Sequence, residues 1–195
     1  MEEYIKFSEQ NLWFEIWPEL SLALGAIFIL AINLFYKGDN KVGLSGNFAI
    51  IFQGSLFLFH LFDYLAWHHT FDRETFSGML HQGFQGDVMR SFFLLASFLV
   101  SVIGQRHVLK NSLRIGEFHH LTMLATAGLM LLCQSSHFLM MFLALECVAL
   151  CFYALVAFNR ESSKSLEAGI KYLIFGALSS SLLLFGIVLL YGVAS

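Results

Sequence analysis

The chain has 195 residues, of which 57% are hydrophobic and only 13% are charged, and 22 of them are phenylalanine. Soluble domains carry about twice this share of charge, so the composition excludes a disordered chain and argues against a soluble globular domain. The net charge is -3. No cationic surface is therefore available for a phosphate backbone, which excludes nucleic-acid binding.

Six apolar segments meet or approach the ~20 residues that a helix needs to cross the hydrocarbon core of a bilayer. They run from Trp17 to Tyr36, Leu44 to Trp67, Met89 to Gln105, Glu117 to Cys133, Phe138 to Phe158 and Ala168 to Tyr191. The N-terminus is acidic, not basic as in a secretory signal, so we expect the first segment to be retained. The sequence thus predicts an all-α integral membrane protein with about six transmembrane helices.

The connections between these segments predict how the chain is oriented. Only one connection is long, at residues 68–88, and its aromatic and polar mixture predicts an outside loop with room for a short interfacial helix. Basic connections stay on the cytoplasmic side. Seven basic residues fall in the first, third and fifth connections, and three fall on the other side. The seven are Lys37, Lys41, Arg106, Lys110, Arg114, Arg160 and Lys164, and the three are Lys6, Arg73 and Arg90. We therefore expect both ends of the chain to be outside.

Glu146 is the ionisable residue that lies deepest in a predicted helix. It is about eight residues from one end of the fifth segment and about twelve from the other, or roughly 12 and 18 Å. Its sequence neighbours are apolar, so a partner has to come from another helix or from internal water. A buried carboxyl with a movable partner can change its protonation state, as a proton relay requires. The alternative is a permanently protonated side chain that hydrogen-bonds between helices.

Lys171 lies about one turn inside the sixth segment. Its depth differs from that of Glu146 by roughly 10 Å, so water or another side chain would have to connect the two. Alternatively, its long stem reaches the membrane interface and Glu167, four residues earlier, pairs with it. The position alone does not choose between these interpretations.

The second segment carries Asp63 near its outer end, with His60 and Gln53 deeper. Asp63 and His60 are secondary polar candidates, although a structural or solvated role is the simpler interpretation. The three cysteines lie in apolar runs without metal-site spacing and are typical of small buried side chains. The sequence contains no motif for a catalytic nucleophile, a bound cofactor or a metal, so we expect none in this chain.

The stretch from Glu117 to Gly192 resembles subunit N of the proton-translocating NADH:quinone oxidoreductase, respiratory complex I. Three parts carry the resemblance: LALECVAL around Glu146, the connection NRESSKSLEAGIKY, and FGALSSSLLLFGIVLLYG in the next helix. Residues 1–116 are compatible with it but carry no comparable motif.

The resemblance implies an antiporter-like membrane-arm subunit that takes part in proton translocation coupled to quinone reduction. Glu146 matches the family's glutamate on helix five and Lys171 matches a lysine on helix six, so both are implied as proton-transfer residues that work with internal water. Flavin, iron-sulfur clusters and quinone would belong to other subunits. The partners would be other membrane-arm subunits in a hetero-oligomer, within the lipid bilayer of a bacterial inner membrane or an equivalent energy-coupling membrane.

The chain departs from the family in length. Family members have about fourteen helices in two inverted repeats, whereas this chain ends after six. Residues 1–116 would hold helices one to three, and residues 117–195 the beginning of an antiporter-like core. We therefore expect a fragment, or a short form completed by another polypeptide. Two alternatives stay open: a subunit of a cation/proton antiporter or a membrane-bound hydrogenase, and a purely structural six-helix membrane protein.

Overall fold

The computed structural model describes residues 13–35, 41–67, 73–110 and 113–194. Within them, a short 3₁₀ turn at Trp13–Ile16 precedes six helices. The helices are α1 (Trp17–Phe35), α2 (Lys41–Trp67), α3 (Phe84–Lys110), α4 (Ile115–Gln134), α5 (Phe138–Val156) and α6 (Ser163–Ala194). All six are long and apolar enough to cross a membrane. The prediction of a multi-pass, all-α membrane protein is confirmed.

Two predicted helices, α3 and α6, are at least eight residues longer in the structure than in the sequence analysis. α3 begins at Phe84 and ends at Lys110, beyond both predicted ends, and α6 begins at Ser163. Hydropathy marks only the apolar part of a helix, whereas the added turns are polar. The first turn of α3 carries Asp87 and its last turn carries His107 and Lys110, as the helix dipole favours.

The described part of the long connection contains a β-hairpin and no short helix before α3. Strands β1 (Arg73–Thr75) and β2 (Leu80–Gln82) pair antiparallel, while residues 68–72 of the predicted loop, like Lys6 and Lys37 of the charge count, lie outside the described residues. The turn holds three consecutive residues at positive φ, namely Phe76 at 53°, Ser77 at 56° and Gly78 at 82°. A hairpin was not predicted because its strands are only three residues long.

The hairpin rests on the connection between α4 and α5. The Ser136 amide donates to the Met79 carbonyl at 3.0 Å, and Leu80 forms a β-bridge with Ser135. We call this side of the bundle the hairpin end. The opposite side, where α3 ends and α4 begins, is the loop end.

α4 is the central helix of the bundle, and α6 lies at its edge. More than half of the α4 span is buried, against almost none of the α6 span. The apolar core joins α1, α2, α3 and α4 near the middle of the bundle. Its buried members are Leu22, Ala26, Ile29, Ala49, Leu56, Leu94, Met123, Ala127 and Met130.

Close approach at glycines sets the path of the last two helices. A Cβ atom at Gly128 would lie 2.8 Å from Cγ2 of Val148, which holds α5 against α4. A Cβ atom at Gly169 would lie 2.5 Å from that of Ala157, and one at Gly176 would overlap the Tyr153 hydroxyl. Backbones meet this closely in lipid only where one residue is small.

Candidate functional site

Glu146 lies near the middle of α5. It is eight residues from Phe138 and ten from Val156, or about 12 and 15 Å along the helix. Its Oε1 atom is buried and has no hydrogen-bond partner within the described residues. The carboxyl therefore occupies the depth that the sequence predicted, and no described side chain satisfies it fully.

Glu146 faces α6. Tyr153, seven residues further along α5, and Ala157, the residue that caps its end, continue the same helical face and contact α6 at Gly176 and Gly169. Glu146 lies eleven residues before Ala157, which contacts Gly169. Because the two helices are antiparallel, the residue of α6 at the level of Glu146 lies eleven residues after Gly169, which is Ser180. The Ser180 hydroxyl donates to the Gly176 carbonyl at 3.0 Å. Its oxygen retains a free lone pair that can accept a hydrogen bond on this face.

Lys171 is paired at the loop end of α6. Its Nζ atom lies 2.5 Å from Oε1 of Glu167, and both side chains are about two-thirds exposed in this chain. The contact between Gly169 and Ala157 places Lys171 beside the last turn of α5, about nine residues or ~14 Å from the level of Glu146. The structure thus brings Lys171 to Glu167 and keeps it away from Glu146.

His60 is tied to a neighbouring helix. The imidazole is buried, and Nδ1 lies 3.2 Å from the hydroxyl of Ser91, which also lies 3.0 Å from the Asp87 carbonyl. One hydroxyl hydrogen serves one acceptor, so both bonds form when Nδ1 carries a hydrogen and donates it to Ser91. Asp63 is half-buried, about one turn nearer the hairpin end. These two residues do not meet Glu146 or Lys171.

A buried ionic cluster at the hairpin end was not predicted. Glu19 is 3% exposed and Arg90 4%, and Nε of Arg90 donates to Oε1 of Glu19 at 2.8 Å. The guanidinium also reaches the carbonyl of Glu15 at 2.7 Å and Oδ1 of Asp87 at 3.2 Å. Arg90, which the sequence analysis counted on the outer side, lies in the second turn of α3 at the hairpin end and is buried.

Gln134 completes this cluster from α4. Its Oε1 accepts from Nη2 of Arg90 at 2.5 Å, and its Nε2 donates to Oε1 of Glu19, also at 2.5 Å. The cluster, defined here as Glu19, Asp87, Arg90 and Gln134, joins α1, α3 and α4. The signal in the sequence was the pair of opposite charges, Glu19 and Arg90, each near the same end of an apolar segment.

Comparison with known proteins agrees with this architecture. Residues 135–195 match the family described as "NADH:quinone oxidoreductase/Mrp antiporter, TM". The chain is 44% identical over 188 residues to NADH-quinone oxidoreductase subunit N 1 of Opitutus terrae. The aligned region covers 94% of this chain and 36% of that protein. It is 38% identical to NADH-quinone oxidoreductase subunit N of Xanthomonas euvesicatoria, over a region that covers 90% of this chain and 35% of that protein. The chain spans about a third of the length of the curated relatives it matches.

Solved structures show the same arrangement of helices. Respiratory complex I from Thermus thermophilus with bound Aureothin contains a chain that is 27% identical, with a TM-score of 0.64 over 88% of this chain and 36% of that chain. A chain of an archaeal respiratory membrane complex, the membrane-bound sulfane sulfur reductase, matches with a TM-score of 0.75. The match covers 89% of this chain and 36% of the archaeal chain. That second chain is 22% identical and supports the fold alone. The relatives and the complex I structure together show that this chain belongs to the family of antiporter-like membrane subunits that includes subunit N of NADH-quinone oxidoreductase.

Proposed function

We propose that this chain forms part of a membrane-arm subunit of NADH:quinone oxidoreductase and takes part in proton translocation coupled to quinone reduction. The names of the curated relatives support the complex. The position of Glu146 supports the role, because a mid-helix carboxyl oxygen without a described partner needs either a proton or water. That buried oxygen is the observation on which the proposal depends most.

Proton transfer would use Glu146 and Lys171 with water between them. About 14 Å separates the levels of these residues, which is too far for a direct transfer. Lys171 is held by Glu167 at 2.5 Å, so a redox-driven change in that pair would alter the positive charge felt along the helix. A carboxyl that gains or loses a nearby cation changes its proton affinity, and this would couple distant electron transfer to Glu146.

The remaining expectations follow from the same complex. Other membrane-arm subunits would be the partners, and flavin, iron-sulfur clusters and quinone would reside in other chains. The count of basic residues favours the loop end as the cytoplasmic side, which would put the hairpin end outside a bacterial inner membrane or an equivalent energy-coupling membrane. Labelling of Arg160→Cys with an impermeant thiol reagent in sealed vesicles of known orientation tests this assignment.

Glu146→Gln in the intact complex tests the role of the carboxyl. The amide retains size and polarity but cannot carry a proton, so we expect a lower ratio of protons moved to NADH oxidised in sealed vesicles. The matched control is Glu161→Gln, the same chemical change at an exposed residue of the connection between α5 and α6. An unchanged proton ratio in an assembled Glu146→Gln complex would contradict the proposed role.

A cation/proton antiporter subunit is the second candidate, because the matching family's description includes Mrp antiporter. Sodium-dependent proton movement without quinone reduction would favour it. A purely structural role predicts instead that the carboxyl band of Glu146 in the infrared spectrum stays protonated throughout the pH range in which the complex works.

A further inference from the structure

A row of buried polar side chains runs along the interface of α2, α3 and α4, apart from both Glu146 and the ionic cluster. We call it the polar seam, and its members are Gln53, Ser97, Ser101, Gln105 and His119. Gln53, Ser101 and His119 have no exposed surface, and Ser97 is 4% exposed.

The seam is defined by unsatisfied hydrogen-bonding atoms. Within the described residues, no partner exists for either amide atom of Gln53, for either serine hydroxyl or for either ring nitrogen of His119. Oε1 of Gln105 also lacks one, although its Nε2 donates to Asn47 at 3.2 Å. Helical serines commonly bond the carbonyl one turn earlier, as Thr122 and Thr126 do here, but Ser97 and Ser101 do not.

Contacts at Gly46 place the seam residues at adjacent levels on the three helices. A Cβ atom there would lie 3.0 Å from both Nε2 of Gln105 and Cγ2 of Ile115, so α2, α3 and α4 meet at this level. One turn further toward the hairpin end, α3 presents Ser101 and α4 presents His119. The next turn brings Gln53 of α2 level with Ser97, so the seam extends about 12 Å along the bundle.

The two ends of the seam differ. At the loop end, Gln105 is half-buried and lies about one turn from the exposed Lys110. At the other end, the next inward residue of α3 is Leu94, which is fully buried with Leu56 and Met130 in the apolar core. The seam is therefore nearest to solvent at the loop end, where Gln105 is half-buried beside the buried Ile115, and it ends at Leu94.

We propose that the polar seam binds a file of ordered water molecules that enters from the loop end and ends below Leu94. Water supplies both donors and acceptors, as an amide, two hydroxyls and an imidazole side by side require. Gln53, Ser101 and His119 have no exposed surface in this chain, so side chains of partner subunits do not reach their polar atoms. The water file gives the buried His119 ring contact with the aqueous phase through helices that contain neither Glu146 nor Lys171.

Electron cryo-microscopy of the intact complex, at a resolution that resolves ordered water, tests the proposal without any substitution. We expect density at hydrogen-bonding distance from Gln53, Ser101 and His119. Direct bonds among these side chains, with no density between them, would overturn it.

Exchange of the His119 C2 hydrogen in deuterated water, followed by mass spectrometry of the complex, gives a second test. We expect the His119 C2 hydrogen to exchange in the folded complex, whereas a dry buried ring would exchange only when the bundle opens. Ser101→Val places two methyl groups in the seam. It should slow exchange of the C2 hydrogen at His119 but not at His107. Ser55→Val, the same change at an exposed residue of α2, should leave both rates unchanged.

Absence of exchange at His119 in the folded, unmodified complex would overturn the proposal even if the Ser101→Val chain failed to assemble. Equal His119 rates in the Ser101→Val and Ser55→Val complexes would also overturn it. Neither result depends on whether Glu146 carries protons.

Discussion

The guanidinium of Arg90 and the carboxylate of Glu19 form a 2.8 Å ion pair between two helices, although the residues are 71 positions apart and both are at least 95% buried. Removal of one member of such a pair leaves an uncompensated charge, which is far more costly than the loss of an exposed pair. Gln134 and the Glu15 carbonyl satisfy the remaining groups of the arginine, so the cluster stabilises one arrangement of α1, α3 and α4.

Arg90→Met should destabilise the chain by about 3–5 kcal/mol, because the Glu19 charge remains buried without its partner. Thermal denaturation of the purified complex, followed by loss of this chain, measures the effect. Arg160→Met is the matched control: Arg160 is exposed and pairs with Glu117 at 3.2 Å, so its loss should cost less than about 1 kcal/mol. Adding Glu19→Gln to Arg90→Met should recover part of the lost stability. If Arg90→Met and Arg160→Met both had small effects, burial of the pair between Arg90 and Glu19 would be contradicted.

Gly169→Ala should weaken the packing of α6 on α5. The new methyl group would overlap Ala157, and overpacking of this kind costs about 1–3 kcal/mol. Gly186→Ala, in the same helix, meets no atom within 4 Å in this chain and should be neutral or gain up to about 1 kcal/mol from helix propensity. Thermal stability of the two variants gives the comparison. Adding Ala157→Gly to Gly169→Ala should restore the thermal stability. If the double variant is no more stable than Gly169→Ala, the loss does not come from contact between these two residues.

Ser77→Gly should stabilise the hairpin. Ser77 adopts a φ of 56°, a conformation that costs a non-glycine residue about 1–2 kcal/mol, whereas glycine adopts it freely. Gly78→Val, at a φ of 82°, should have the opposite effect. Hydrogen exchange of the Ser136 amide, which donates to Met79, reports on the hairpin directly. Slower exchange is expected in Ser77→Gly and faster exchange in Gly78→Val, and the reverse order would be inconsistent with this turn.

Lys171→Met and Glu167→Gln should have similar, small effects on stability, on the order of 0.3–0.5 kcal/mol, because the pair is exposed in this chain and spans one helical turn. Their effects on coupling should differ. If Lys171 transfers protons, Lys171→Met lowers the ratio of protons moved to NADH oxidised, whereas Glu167→Gln only alters the charge beside it. Equal, undiminished ratios in both variants would remove Lys171 from the proposed path.

The helices could be predicted because a membrane span needs a long apolar run, and such runs are visible residue by residue. The depth of Glu146 followed from the same count. The pairing of Lys171 with Glu167 also follows from local spacing, as four residues in a helix bring two side chains together.

Relationships between helices were not visible in the same way. The partners of Arg90 lie on α1 and α4, and their meeting depends on which helix faces become neighbours, which hydropathy does not specify. The hairpin was missed because strands of three residues carry too little pattern. The polar seam likewise emerges only when the registers of α2, α3 and α4 are known.

The length of α6 has a consequence for how the chain sits in lipid. Its 32 residues span about 48 Å, whereas the hydrocarbon core of a bilayer is about 30 Å thick. A helix with this hydrophobic mismatch must tilt or project from the bilayer, and its first turns, from Ser163 to Glu167, are the polar ones. Projection at that end brings Glu167 and Lys171 to the headgroup region, where anionic lipids would compete with Glu167 for the lysine. The thickness and charge of the surrounding membrane would then set how firmly this ion pair is held.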